Sequence, residues 1–431
     1  MNNCKIMAMA AAALVLSGVP TLAQDSTKTA PRLTIGGYGE AVVTRNFYSG
    51  HFNRYRFPEQ HKDDKSHGQA DLPHMVLNIG YDFGRGWTMG TEIEFEHGGT
   101  ESAVEIDADE SGEYEAEIER GGEVALEQFW LQKSFGRGLN VRAGEMVVAV
   151  GAVNQHHLPV EFFTVYRPEG ESQILPCTWH QTGVSVWGRL DGWRYEAQLL
   201  SGLDAERFGA DCFVRYGAGS PYEFKIANKY AVAARVDNQM VKGLRLSVSG
   251  YYGLTFRNTL KSIGDKYNGV EGALWIGTFD FQYKAGNLTA RGNAVWAHLA
   301  DADKITAFNK NFPTHVGQDG SPSKHQPVAS DAATAGCELG YNVFGHFERL
   351  AAENQKFIVF GRYEWYDSML KGTNAAAYEW CGKQRIALGV NYFPLPEIVV
   401  KAEYSERFYK SPYNNEPSVS VGVAYSGWFN R

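Results

Sequence analysis

Long hydrophobic runs are missing from this 431-residue chain once its first two dozen residues are passed, and its mean hydropathy is only −0.34. No stretch of about 18 apolar residues remains to build a membrane-crossing helix, which excludes a helical membrane protein. Proline is sparse, 15 residues against 47 glycines, and there are only five cysteines, none in a Cys-x-x-Cys spacing. A structural zinc or dithiol redox site is therefore not expected. Positive charge is also short: 41 Lys and Arg against 49 Asp and Glu give a formal charge of −8, with no dense basic stripe. That balance excludes a nucleic-acid binder, which must set cations against phosphates. Gly-x-Ser-x-Gly, His-Glu-x-x-His and related catalytic signatures are absent, so the reading is of a non-enzyme without a cofactor. Aromatic residues are plentiful, with 10 Trp, 23 Tyr and 24 Phe. Together with the glycines they fit strands and turns better than helices.

The N-terminus reads as a secretory signal over residues 1–23, followed by a short leader at 24–32. Lys5 supplies the positive start, Ile6 to Leu16 the apolar run, and Thr21-Leu22-Ala23 an A-x-A-like cleavage site. Cys4 lies ahead of the apolar run, the wrong place for a lipidated cysteine. Export leaves Cys177, Cys212, Cys337 and Cys381 in an oxidising compartment, where four thiols allow three pairings that the sequence does not choose between.

From residue 33 onward the informative signal is period-2 alternation in segments of about 9–14 residues, the length a tilted strand needs to cross a bilayer. Leu139, Val141 and Ala143 alternate with Asn140, Arg142 and Gly144. Ile386, Leu388, Val390 and Tyr392 oppose Arg385, Ala387, Gly389 and Asn391. Sixteen strands are expected: 33–47, 71–83, 87–98, 124–135, 139–149, 178–190, 193–203, 230–238, 243–256, 272–284, 287–298, 333–344, 355–367, 383–393, 397–408 and 417–429. Short turns such as Gly84-Arg85-Gly86 and Asp191-Gly192 follow the even strands, with a longer link at 345–354. Long polar loops follow the odd ones. An even strand count with short turns at one end and long loops at the other describes an all-β, antiparallel transmembrane barrel over 33–429, with periplasmic turns and extracellular loops, in the cell outer membrane. A spanning sheet must close because lipid satisfies no backbone group, and at about 16–18 strands closure leaves an aqueous lumen.

Parity along the strands turns Arg142, Arg194, Arg235, Arg245, Arg291, Arg362, Arg385 and Arg407 inward, together with Glu40, Glu92, Glu94, Glu196, Asp237, Glu364 and Glu403. Mixed charges across a lumen create a transverse field that orients solutes and biases ion choice. The connection over 150–177 differs from the other long loops. Its Val, Leu, Phe and Tyr residues interleave with Glu161, Arg167, Glu169 and Glu171, too apolar a mixture for solvent, so it is expected to fold inward and narrow the lumen. Asn154, His156, His157 and Tyr166 belong to the same candidate constriction.

The stretch 144–188, with its Gly-x-x-x-x-x-Val-Gly start, Asn154, His157, Pro159, Phe162, Val165-Tyr166-Arg167, Ile174-Leu175-Pro176 and Thr178-Trp179, resembles the phosphate-selective porin O and P superfamily of Gram-negative bacteria, including Bacteroidota. Ala149 stands where such sequences often carry Pro. The resemblance implies a homotrimeric outer-membrane porin passing small ions and solutes, with phosphate or other anions preferred, and contacts to lipid and lipopolysaccharide.

Other features admit two readings. Residues 101–123 hold ten acids against Arg120 alone, either a divalent-cation or anion-repelling mouth or a solvated loop; the solvated loop is expected, since the spacing is not that of a calcium loop. His156, His157 and His180 are expected to hydrogen-bond within the folded loop rather than hold a metal. Trp179, Trp187 and Trp193 are expected in the interfacial girdles. A surface adhesin using loops 99–123 and 299–332, or a barrel enzyme, is the alternative to a passive channel.

Overall fold

The computed structural model describes residues 32–97, 103–107, 115–119, 124–220, 224–309, 327–373 and 375–430. The proposed signal and most of the leader lie outside the described residues, and of the acidic segment 101–123 only the backbone of a separate hairpin, Ala103–Asp107 with Glu115–Glu119, falls within them.

Sixteen antiparallel strands close into one barrel: β1 (Leu33–Asn46), β2 (His67–Asp71 and His74–Gly84), β3 (Trp87–Glu96), β4 (Val124–Gly136), β5 (Leu139–Val147), β6 (His180–Leu190), β7 (Trp193–Ser201), β8 (Tyr230–Asn238), β9 (Leu244–Leu254), β10 (Ala273–Ala285), β11 (Leu288–Leu299), β12 (Asp331–Asn342), β13 (Lys356–Lys371), β14 (Gly382–Leu395), β15 (Ile398–Phe408) and β16 (Glu416–Trp428). Each strand pairs with its sequence neighbour. Closure is made by β1 on β16, from Gly36 opposite Trp428 to Asn46 opposite Ser418. Among the described residues the barrel sheet leaves no edge strand unpaired, which is the condition for a sheet in hydrocarbon. The break in β2 falls at Leu72-Pro73, where proline supplies no N–H to the ladder.

Turn chemistry explains the short-turn end. Arg85 and Gly86 have φ of 56° and 77°, and Asp191 and Gly192 have 47° and 82°. Positive φ at both central positions is the geometry whose twist matches paired strands, and glycine adopts it without strain.

The outer face is a continuous apolar surface. Val43, Leu131, Val186, Val248, Leu339, Leu388 and Val421 all point outward and are exposed, far more apolar area than a soluble monomer tolerates. The inner face carries the charges expected from parity, but only over part of the barrel. Toward the long-loop end of β7–β12 the inward residues are Leu200, Ala233, Tyr251, Leu274, Ile276, Val295, Leu299 and Ala332, all buried. Phe208, Phe213, Val214, Phe256, Ile305 and Phe308 from the adjoining connections pack onto them. The long polar loops expected at 204–229, 257–271 and 299–332 are thus corrected where they fall within the described residues: apolar residues of 204–220, 257–271 and 299–309 turn into the barrel mouth and form a dry core there. α2 (Ala302–Asn309), named here after the inward-loop helix α1 (Glu169–Ile174), buries Ile305 and Phe308 in that core. Alternation signals two different environments, so where both faces of a strand are dry the charge contrast that reveals parity disappears.

Candidate pore and its inward loop

Residues 148–179 connect β5 to β6 and cross the lumen, and their course is fixed by side chains reaching from both sides. Glu171, buried on α1, accepts backbone N–H bonds from Ala152 at 3.1 Å, Val153 at 2.8 Å and Asn154 at 3.3 Å, and the Asn293 amide of β11 at 2.8 Å. One carboxylate therefore ties the loop's first turn to its helix and to the wall. Asn154 closes the neck of the loop: its amide donates to the Val148 carbonyl at 2.9 Å, and its oxygen accepts the Trp179 N–H at 2.6 Å.

The far side of the loop is held by β13–β15. Lys401 donates to the carbonyls of Phe162 at 3.1 Å and Thr164 at 2.8 Å, and Glu403 accepts the Val165 N–H at 2.8 Å. Glu364 accepts the N–H groups of Glu169 and Gly170 at 3.3 and 3.1 Å. Glu169 pairs with Arg407 at 2.6 Å and Arg385 at 3.3 Å and accepts the Tyr366 hydroxyl. Burial pushes its carboxyl up, but the two guanidinium groups outweigh this and hold it down at about 2. Nearer the start, Arg235 is only 1% exposed and binds Asp237 at 2.8 Å, Asp280 at 2.9 Å and the Gly151 carbonyl at 3.0 Å. Gly151 has φ of 83°, and a Cβ there would overlap the Glu171 carboxylate. Gly151→Ala is accordingly expected to cost about 1–3 kcal/mol from strain and overpacking combined. The thermal unfolding midpoint of the refolded barrel checks it, and an unchanged midpoint counts against this account of the anchor.

The lumen charges fall into two groups. On β7–β15 nearly every cation is paired: Arg194 with Glu196 at 2.5 Å and Asp237 at 3.2 Å, Arg245 with Asp280 at 3.3 Å, Arg291 with Glu338 at 2.5 Å, Arg362 with Glu364 at 2.9 Å, and Arg385 with Glu403 at 2.5 Å. On β1–β4 the inward row is Glu40, Glu92, Glu94 and Glu127, with His74, and is predominantly acidic. Arg142 stands apart. Its guanidinium lies 4.3 Å from the Trp130 ring centroid and donates to Gln132 at 3.0 Å, without an ion pair among the described residues. Arg167, from the loop, likewise makes no ion pair there and reaches the Tyr38 hydroxyl at 3.3 Å.

No known protein-family profile matches the chain. An uncharacterised protein of Aquifex aeolicus (strain VF5) is 26% identical over 392 residues, spanning 89% of this chain and 78% of its own. Among solved structures, the anion-selective porin from Comamonas acidovorans superposes with a TM-score of 0.51 at 12% identity, covering 92% of this chain and 99% of that one. Salmonella typhi OmpF, in complex with daunomycin, gives 0.52 at 11% identity, covering 92% and 97%. The fold is that of a porin barrel.

Within this porin-type barrel, the remaining residues singled out in the sequence are placed as follows. Glu196 accepts the Ser185 hydroxyl at 2.8 Å, Tyr166 sits against Thr44 of β1, and His156 lies 3.4 Å from Glu161. His157 bonds the Asn154 carbonyl at 2.9 Å; burial, with Arg167 nearby, pushes its pKa down to about 4, so it is neutral. His180 pairs with Glu145 at 2.6 Å, on the wall rather than in the loop. Of the three tryptophans expected in girdles only Trp193 faces outward. Trp179 is fully buried in the interior core, and Trp187 turns inward to donate to Gln132 at 2.9 Å. Proximity to a strand end does not specify a face, and parity at 187 already pointed inward. Cys177, Cys337 and Cys381 carry no disulfide; Cys337 faces outward and Cys381 is buried inside.

Four lumen residues were not singled out from the sequence. Asp280, Glu338 and Lys401 sit at inward parity and were legible. Glu127 was hidden, because a β-bulge opposite Glu92 and Ile93 makes both it and Gln128 face the lumen.

Proposed function

We infer that this protein is an outer-membrane channel through which ions and small hydrophilic solutes diffuse passively. The observation that carries the reading is the closed 16-strand barrel with a charged inner wall and an apolar outer face, narrowed by the anchored loop 148–179. Sixteen strands enclose more space than wall side chains fill, and a loop fixed by this many buried bonds defines a constriction rather than a lid. The sequence resemblance to phosphate-selective porins supports anion preference, homotrimeric assembly and export with signal cleavage near Ala23. Among the inward arginines, Arg142 and Arg167 are the ones without an ion pair among the described residues, which makes them the candidates to act on a passing anion, since the others each pair with an adjacent carboxylate.

Single-channel recording of the refolded barrel under a salt gradient, with phosphate then replacing chloride, tests this. Steady open-channel conductance is expected. Substituting Arg142 and Arg167 together by Glu should move the reversal potential toward that of cations, and an unmoved potential would remove both from the selectivity site. A folded barrel that never conducts would overturn the channel reading itself and favour a surface-binding role.

A further inference from the structure

The acidic wall of β1–β4 holds a feature that the channel reading does not use. Register brings three ligand-type side chains together on adjacent strands: His74 of β2 lies opposite Glu96 of β3, and Val76 opposite Glu94 sets the next inward pair. His74 Nδ1 is 2.7 Å from Glu94 and 4.0 Å from Glu96, and its Nε2 is 3.8 Å from Glu40 of β1. One donor atom from each of His74, Glu94 and Glu96 lies within 4.8 Å of the other two. Glu40 and Glu94 are buried, His74 is 15% exposed and Glu96 34% exposed.

A second observation comes from the bulge on β4. It delivers Glu127, only 2% exposed, into hydrogen-bonding contact with Glu94, and its second carboxylate oxygen has no hydrogen-bond partner among the described residues. A buried carboxylate oxygen without a donor is costly, and buried charges are as a rule paired or bound to a metal. Glu92 is served by the Gln128 amide, which leaves Glu127 as the unsatisfied member. The nearby cation, Arg167, donates to Tyr38 and its charge acts on Glu94 and Glu127, but it makes no ion pair with either among the described residues.

We propose that His74, Glu94 and Glu96, supported by Glu127 and Glu40, bind a divalent first-row transition-metal cation on the lumen wall. One imidazole nitrogen with carboxylate oxygens is the mixed donor set that suits zinc and its neighbours, whereas calcium prefers six to eight oxygens and magnesium an octahedral shell kept largely as water. The metal takes the place of the proton between His74 Nδ1 and Glu94, with Glu96 as a further carboxylate ligand.

The test is calorimetric titration of the tag-free, refolded full barrel with Zn²⁺, alongside the visible absorption of bound Co²⁺. One saturable site per chain is expected, with Co²⁺ displaced by Zn²⁺ but not by an equal excess of Mg²⁺. His74→Gln and Glu94→Gln should each weaken binding by about tenfold or more, with folding confirmed by heat-modifiable gel mobility, and His346→Gln in the β12–β13 connection should leave it unchanged. Absence of saturable binding, binding that survives both substitutions, or equal competition by Mg²⁺ would overturn the site. Conductance is recorded separately, so a barrel that conducts without binding Zn²⁺ overturns this proposal alone.

Discussion

Replacing residues 156–167 by a short Gly/Ser linker is expected to raise single-channel conductance several-fold, the largest functional change foreseen for this barrel. The segment removed carries Phe162, Phe163, Val165 and Arg167, which fill the space between β1 and β12–β15. The linker keeps Glu169 and Glu171, whose bonds to Arg385, Arg407 and Asn293 hold α1 in place. Lys401 loses its two carbonyl acceptors, Phe162 and Thr164, but the widened lumen admits water to replace them. Planar-bilayer recording of the folded variant measures the effect. Conductance equal to that of the parent chain would mean that the narrowest section lies elsewhere, in the apolar core packed between β7 and β12.

The largest loss of stability is expected from Arg235→Ala. The guanidinium serves Asp237, Asp280 and the Gly151 carbonyl at once, at 2.8–3.0 Å, with almost no exposure. Truncation leaves Asp280, itself 1% exposed, to Arg245 alone at 3.3 Å and frees the start of the inward loop. Removing one partner from a buried charge network typically costs about 3–5 kcal/mol, because the remaining charge stays desolvated. The temperature at which the barrel loses its compact gel mobility reads this directly, and increased open-channel noise should accompany it as the loop loosens. Arg235→Met, which keeps the volume without the charge, should be as damaging as Ala if electrostatics dominate. Recovery with Met would instead assign the role to packing.

Much of this architecture is visible in residue order alone. The strand ranges expected from alternation fall within a few residues of those observed, because each strand has a lipid-like face and a charged face and the side-chain period is two. The turns follow from the same logic: Gly84-Arg85-Gly86 and Asp191-Gly192 are residues that accept positive φ, and they sit where β2 meets β3 and β6 meets β7. The inward arginines and acids are likewise a parity statement. Arg142, Arg194, Arg235, Arg245, Arg291, Arg362 and Arg385 occupy the inner face for that reason.

Local signals mislead in three identifiable places. The bulge on β4 carries Glu127 to the face that strict alternation would deny to either it or Gln128, and no local residue announces the extra count. Trp179 and Trp187 look like interfacial aromatics one at a time, yet Trp179 is buried in the interior core and Trp187 packs inward among Gln132, Arg142 and Arg194 of the wall. The connections at 204–229 and 299–309 carry enough polar residues to resemble surface loops, although Phe208, Phe213, Ile305 and Phe308 bury themselves in the barrel mouth.

By itself, then, the sequence determined strand number, the direction most wall residues face, the alternation of short turns and long connections, and the unusual composition of residues 144–188. These properties are local, set by periodicities of two residues and by turn geometry within four. Only the tertiary structure decided which lumen charges neutralise one another, which carboxylates of β1–β4 gather around His74, and how the inward loop is pinned. Such pairings join residues far apart in the chain, Glu171 with Asn293 or Val165 with Glu403, and their geometry exists only once sixteen strands have closed and fixed the register of every wall position relative to the loop that crosses it.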